Sequence, residues 1–183
     1  KEFLPEILIE KKRWDIDAIY IPEIKIDFDK ECSRLRKLMD EKDSVNIFLS
    51  EGAGTDTIVS EIENNGGSVT RDAFGHVALD TINPGQWFAK LFSDRLNAQK
   101  TLVQKSGYFS RSASTNKKDL NLIKLSGKLG AQSALSGESG VIGLDDNNNA
   151  SLSLIDFKRI KGGKPFDPSV SWFNKLLTEI GQK

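Results

Sequence analysis

Short apolar runs alternate along this chain with longer stretches that are apolar on one side and charged on the other. The first run, Asp17-Ala18-Ile19-Tyr20-Ile21, is closed by Pro22 and reads as a buried strand. Residues 28–42 follow, with Phe28, Cys32, Leu35, Leu38 and Met39 at helical spacing, a charged opposite face and Asp27 placed as a cap. Residues 45–54 form a second apolar run that ends in a glycine-containing turn. They read as another buried strand. Residues 56–63 predict a short helix, stopped by Asn64-Asn65-Gly66-Gly67. Asn83-Pro84 marks the next helix start, and residues 85–98 carry Trp87, Leu91, Phe92 and Leu96 on one side.

The rhythm continues to the end of the chain. Residues 101–108 read as a strand, and residues 116–136 as a long helix that packs through Leu120, Ile123, Gly127, Leu129, Gly130 and Ala134. Residues 139–146 predict a strand, and 146–150 a hairpin-like connection. Residues 151–160 alternate and read as an antiparallel strand with one wet face. A last amphipathic helix, 168–180, is built around Trp172, Phe173, Leu176, Leu177 and Ile180. Strand and helix in alternation predict an α/β fold. Its expected form is a mainly parallel sheet flanked by helices, with a small antiparallel addition near 151–160. No repeat, low-complexity tract or Gly/Ser- or Pro-rich linker divides the chain.

Composition narrows the function classes. With 26 Lys plus Arg against 26 Asp plus Glu, the 183 residues carry no net charge, so the basic footprint of a nucleic-acid binder is absent. No apolar run approaches the length that crosses a bilayer, and the first residues, rich in acids, do not read as a signal peptide. The single Cys32 and the single His76 exclude an internal disulfide, a cysteine cluster and a multi-histidine zinc site. A cytoplasmic setting is expected. Cys32, Trp87, Trp172 and the phenylalanines at helical spacing read as core.

In open α/β sheets ligands sit beyond the carboxyl ends of the strands. That rule selects Pro22-Glu23, Ser50-Glu51-Gly52, the run Gly107-Tyr108-Phe109-Ser110-Arg111, and Gly143-Leu144-Asp145-Asp146. The third offers a glycine for close approach, a phenol and a guanidinium suited to phosphate. Glu23 can accept sugar hydroxyls or be an ordinary loop acid. His76 can orient its own loop or act as a base. The Lys161-Gly162-Gly163-Lys164 stretch lacks the spacing of a phosphate-binding P-loop. Asp145-Asp146 is a weak magnesium candidate.

Several separated stretches resemble the pyrophosphate-dependent 6-phosphofructokinases, in that family's order. They are GGSVTRDAFGHVALDTINPGQWFAK, KTLVQKSGYFSRSA, SGESGVIGLDD, IKGGKPFD and the closing EIGQK, with IYIPE at 19–23 similar to the strand that ends in a sugar-contacting Glu. The resemblance covers residues 17–183. It implies reversible transfer of a phosphoryl group from pyrophosphate to the 1-hydroxyl of fructose 6-phosphate, with Mg2+ as cofactor, in a homo-oligomer that engages neither nucleic acid nor membrane. It also implies that Glu23 contacts the sugar and that Tyr108 and Arg111, with Phe109 and Ser110 between them, contact fructose 6-phosphate. Arg71, Lys100 and Lys105 are candidates for a further phosphate contact.

The family's GGD-type phosphate loop, its TIDND-type segment with the catalytic Asp and its MGR motif are not found in this sequence. By resemblance they precede the IPE strand. The expectation is therefore a C-terminal, fructose 6-phosphate-binding portion spanning 1–183, with no catalytic residue or metal ligand of its own and no activity alone. The alternative of another class is a non-catalytic regulatory subunit that binds a sugar phosphate. An unrelated α/β domain is the third reading.

Overall fold

The computed structural model describes residues 15–73, 75–160 and 165–183, with the backbone alone at Asp80, Tyr108, Phe109 and Ser110. The reading of the first residues as no signal peptide, and that of residues 161–164, lie outside the described residues. The chain divides into two compact units, one comprising residues 1–104 and 165–183 and the other residues 105–164. They are described separately.

The first unit is α/β. Its strands β1 (Ala18–Tyr20) and β2 (Ile47–Leu49) pair in parallel, with Ala18 opposite Ile47 and Tyr20 opposite Leu49. Between them runs α1 (Phe28–Lys42), the crossover that a parallel pair requires. Asp27 caps α1 as expected, its Oδ1 accepting from the Lys30 N–H at 3.1 Å. After β2 come α2 (Thr55–Asn64), a single turn α3 (Leu79–Ile82) and α4 (Pro84–Leu96), which begins at the predicted proline.

β1 is buried on both faces, as the unbroken apolar run implies. Ala18 and Tyr20 face a core with Cys32, Leu35, Ile58, Phe88, Phe92 and Leu96. Ile19 and Ile21 face a second core with Ile16, Phe173, Leu176 and Leu177, supplied mainly by α7 (Ser171–Glu179). Gln182, just beyond α7, grips the backbone of β1 with both ends of its amide. Its Oε1 accepts from the Ile19 N–H at 2.9 Å and its Nε2 donates to the Ile19 carbonyl at 3.0 Å. Gly54 must be glycine, because its φ is +67° and a Cβ there would lie 2.8 Å from the Phe88 ring.

The second unit holds α5 (Gly107–Ser112), α6 (Lys117–Leu135) and the strands β3 (Val141–Asp145) and β4 (Ser151–Ile155). β3 and β4 form the predicted antiparallel hairpin, closed by a 3-10 turn over Asp146–Asn148. β4 stops earlier than the alternation suggested. The Asp156 carboxylate accepts from the Lys158 N–H at 2.7 Å and turns residues 157–159 into another 3-10 turn.

Among the described residues the strands form two separate two-stranded sheets, a parallel pair spanning three residues per strand and an antiparallel hairpin spanning five, in line with the α/β expectation and its antiparallel addition. The strand expected over 101–108 is corrected. Residues 101–105 have no regular structure, and 107–112 are helical. Thr101, Leu102 and Val103 have strand-like side chains, but Leu102 is 81% exposed and, among the described residues, no strand pairs with them. On α6, Gly130 packs near Ile142 as expected, whereas Leu120 and Ile123 are exposed.

Candidate functional site

The loops beyond β1 and β2 lie side by side, as the sheet rule requires. The Ser50 N–H donates to the Tyr20 carbonyl at 2.9 Å, and a Cβ on Gly52 would lie 3.0 Å from the Pro22 ring. The candidate spots Pro22-Glu23 and Ser50-Glu51-Gly52 thus form one surface. Glu23 is exposed in the turn after β1, and its Oε1 accepts from the Phe166 N–H at 2.9 Å. Sequence reasoning missed that partner, which lies 143 positions away.

Beneath this surface lies a buried polar network, also unforeseen. The Tyr20 hydroxyl donates to Glu31 Oε2 at 2.7 Å. Arg34 grips the same carboxylate through Nε at 3.0 Å and Nη2 at 2.8 Å. Its Nη1 donates to the carbonyls of Asp17 at 2.9 Å and Ile180 at 3.1 Å. One guanidinium thereby joins β1, α1 and the end of α7. Burial opposes the charge on Arg34, but Glu31 overcomes it and holds the guanidinium pKa above its ordinary value. Burial also raises the Tyr20 phenol well above its usual range, and the Glu31 hydrogen bond and charge add to the rise. The sign for stability follows. A raised phenol contributes fully below its ordinary value of 10.0, and that contribution falls as pH rises above it. We expect the chain to lose up to about 1.4 kcal/mol per pH unit above pH 10 through this group. Alkaline unfolding of Tyr20→Phe should show a correspondingly weaker slope; an unchanged slope would refute the assignment.

A cleft of about 520 Å³ runs beside β1, lined by residues including Ile21, Ile24, Lys30, Ser169 and Leu177. Glu23 is not among its lining residues.

The other predicted residues fall as follows. Arg71 is exposed and donates to the Gly75 carbonyl at 3.1 Å. His76 takes part in the same turn, its N–H donating to Asp72 Oδ1 at 2.9 Å and its Nδ1 lying 3.3 Å from Oδ2. That is the loop-orienting role. Lys100 is exposed in the first unit and Lys105 in the second. Tyr108, Phe109, Ser110 and Arg111 lie on α5, in the second unit, so a single helical turn carries them all; Arg111 is exposed.

The magnesium reading of Asp145-Asp146 is corrected. Arg159 Nη1 donates to Asp145 Oδ2 at 2.7 Å and Nη2 to Oδ1 at 2.5 Å, and Oδ1 also accepts from the Asn147 N–H. The hydrogen bond from Arg159 holds the Asp145 carboxyl below its usual range. Oδ1 thus closes the β3–β4 turn, and both oxygens tie the end of β3 to Arg159 beyond β4. Among the described residues no group of three or more His, Cys, Asp or Glu could hold a metal ion, and no helix is long and apolar enough to cross a membrane.

No protein-family model matches the chain. Curated relatives do. The chain is 53% identical over its whole length to a pyrophosphate–fructose 6-phosphate 1-phosphotransferase of Propionibacterium freudenreichii subsp. shermanii, covering 45% of that protein. It is 50% identical over 99% of its length to the enzyme of the same name from Methylomonas methanica, covering 44% of it. It is 52% identical over its whole length to the one from Mastigamoeba balamuthi, again covering 44%. The chain therefore spans less than half the length of the curated relatives it matches, and the matched stretch is their C-terminal portion.

Proposed function

Taking the chain as similar throughout to the C-terminal portion of pyrophosphate-dependent phosphofructokinases, we propose that it supplies the sugar-phosphate side of such an enzyme. The reaction is reversible transfer of a phosphoryl group from pyrophosphate to the 1-hydroxyl of fructose 6-phosphate. The observation that carries the reading is identity of about one half across the entire chain to relatives that all bear this activity in their names. A regulatory, non-catalytic subunit is the less favoured reading for the same reason.

In this proposal Glu23 accepts hydroxyls of the sugar, and Tyr108 to Arg111 contact fructose 6-phosphate. A guanidinium matches a phosphate in two parallel hydrogen bonds, which suits Arg111 to the 6-phosphate. Arg71, already engaged with its own turn, is a weaker phosphate ligand than Lys100 or Lys105. Among the described residues none forms a set that fits Mg2+, and Asp145 is committed to Arg159, so no step is routed through the metal and its ligands are expected outside this chain. Phosphoryl transfer also needs a donor clamp and a base for the attacking hydroxyl. The chain is accordingly expected to bind fructose 6-phosphate without turning it over. The fold is a portion of a phosphofructokinase-like α/β fold, the assembly a homo-oligomer and the setting cytoplasmic.

Calorimetric titration with fructose 6-phosphate tests this reading. Arg111→Ala should weaken binding by roughly 1.5–3 kcal/mol, about 10- to 150-fold. A wild-type chain that binds no fructose 6-phosphate, or an Arg111→Ala chain that binds it equally well, would count against the proposal.

A further inference from the structure

We infer that Phe166 is a positioning residue for Glu23: its backbone N–H fixes one carboxylate oxygen so that the other is presented to the sugar. The inference rests on the reading of Glu23 as a sugar contact and adds the device that orients it. A glutamate in an exposed turn has three side-chain torsions to fix before it can meet a hydroxyl. Here one oxygen, Oε1, is held by the Phe166 N–H at 2.9 Å. A carboxylate keeps lone pairs on both oxygens, so Oε2 can still accept while Oε1 is engaged.

The donor is itself anchored. The Phe166 ring meets Phe173 edge-on with centroids 5.1 Å apart and lies 5.8 Å from Trp172. Phe173 is fully buried in the second core of the first unit, in one cluster with Ile19 of β1 and Ile21 just beyond it. β1 in turn leads directly into the Pro22-Glu23 turn. The aromatic cluster thus holds the N–H donor and the strand that carries the acceptor in one packed body. Packed aromatic pairs resist displacement far better than an exposed loop does. Glu23 does not wait for the sugar to find its orientation, because the core has already set it.

The test is a double-mutant cycle in fructose 6-phosphate affinity on the whole chain, with nuclear magnetic resonance of the Phe166 amide as the second readout. Phe166→Ala should weaken binding about 2- to 10-fold in the wild-type background and have no further effect in a Glu23→Ala background. Phe166→Tyr, which keeps the ring, should restore wild-type affinity. The Phe166 amide resonance should shift on saturation with fructose 6-phosphate and stay still in Glu23→Ala. If Phe166→Ala does not fold, Phe166→Leu carries the same expectation with smaller amplitude. Equal losses in both backgrounds, or an unmoved amide in a chain that binds the sugar, would overturn the positioning role and leave the sugar site intact. Glu23→Ala binding as well as wild type would instead overturn the reading of Glu23, and with it the inference.

Discussion

Arg34→Met will destabilise the chain by about 3–5 kcal/mol, because it strands a buried carboxylate. The side chains of Glu31 and Arg34 are 6% and 15% exposed, and two hydrogen bonds from the guanidinium satisfy both Glu31 oxygens. With methionine in place, Glu31 keeps the Tyr20 hydroxyl as a donor but loses both guanidinium bonds, and the Asp17 and Ile180 carbonyls lose one donor each. The loss is large against the 5–15 kcal/mol that a folded domain typically commands. It should appear as a lower urea midpoint with an unchanged slope. A control separates a stranded charge from a merely useful pair. Replacing the network together, as Tyr20→Phe, Glu31→Leu and Arg34→Met, removes its three polar side chains at once. That triple variant should be much more stable than Arg34→Met alone. If Arg34→Met costs under about 1 kcal/mol, the network is not the buried unit described here.

How much of this was legible in the sequence depends on the range of the interaction. The Asp27 cap, the Pro84 start, the Asn-Gly stop after α2 and the Asn-rich hairpin are set by neighbours within a few residues, and pattern reading found each. The run at 101–105 failed because a strand is defined by a partner, and nothing local in Thr101, Leu102 and Val103 says whether one is there. Exposure of Leu120 and Ile123 on α6 likewise departs from the helical spacing, which reports a face without reporting what covers it. The polar network was not foreseen, although one of its pairs is local. Glu31 and Arg34 stand at i and i+3 on α1, interleaved with Cys32 and Leu35, which sets a charge pair at the edge of an apolar face. Their partners at Tyr20 and Ile180 were not visible, nor was the Phe166 N–H on Glu23, since all three come through the fold. The strand-end rule pointed to the turns that carry Glu23 and Arg111, and the family resemblance added the sugar-phosphate roles proposed for these two exposed residues.

Phe173→Ala is the second large effect expected, at about 3–5 kcal/mol. Phe173 has no exposed surface, and its ring is met edge-on by Phe166 at 5.1 Å and Trp172 at 5.6 Å. Removing it takes away the transfer free energy of a phenyl group and leaves a cavity that neighbours can fill only in part. Two of those neighbours are held from elsewhere. Ile19 belongs to β1, whose backbone is fixed by β2 on one side and by the Gln182 amide, and Leu176 lies on the same rigid helix. The site therefore collapses poorly, which places the cost toward the upper part of the range. Phe173→Leu, which refills part of the volume, should recover part of the loss. Equilibrium unfolding measures both. The variant also distinguishes packing from position. If the aromatic cluster orients Glu23 through Phe166, Phe173→Ala chains that remain folded should bind fructose 6-phosphate more weakly, although no atom of Phe173 touches Glu23's carboxylate by hydrogen bond. A folded Phe173→Ala chain with wild-type stability would show that this core relaxes more freely than its ring geometry implies.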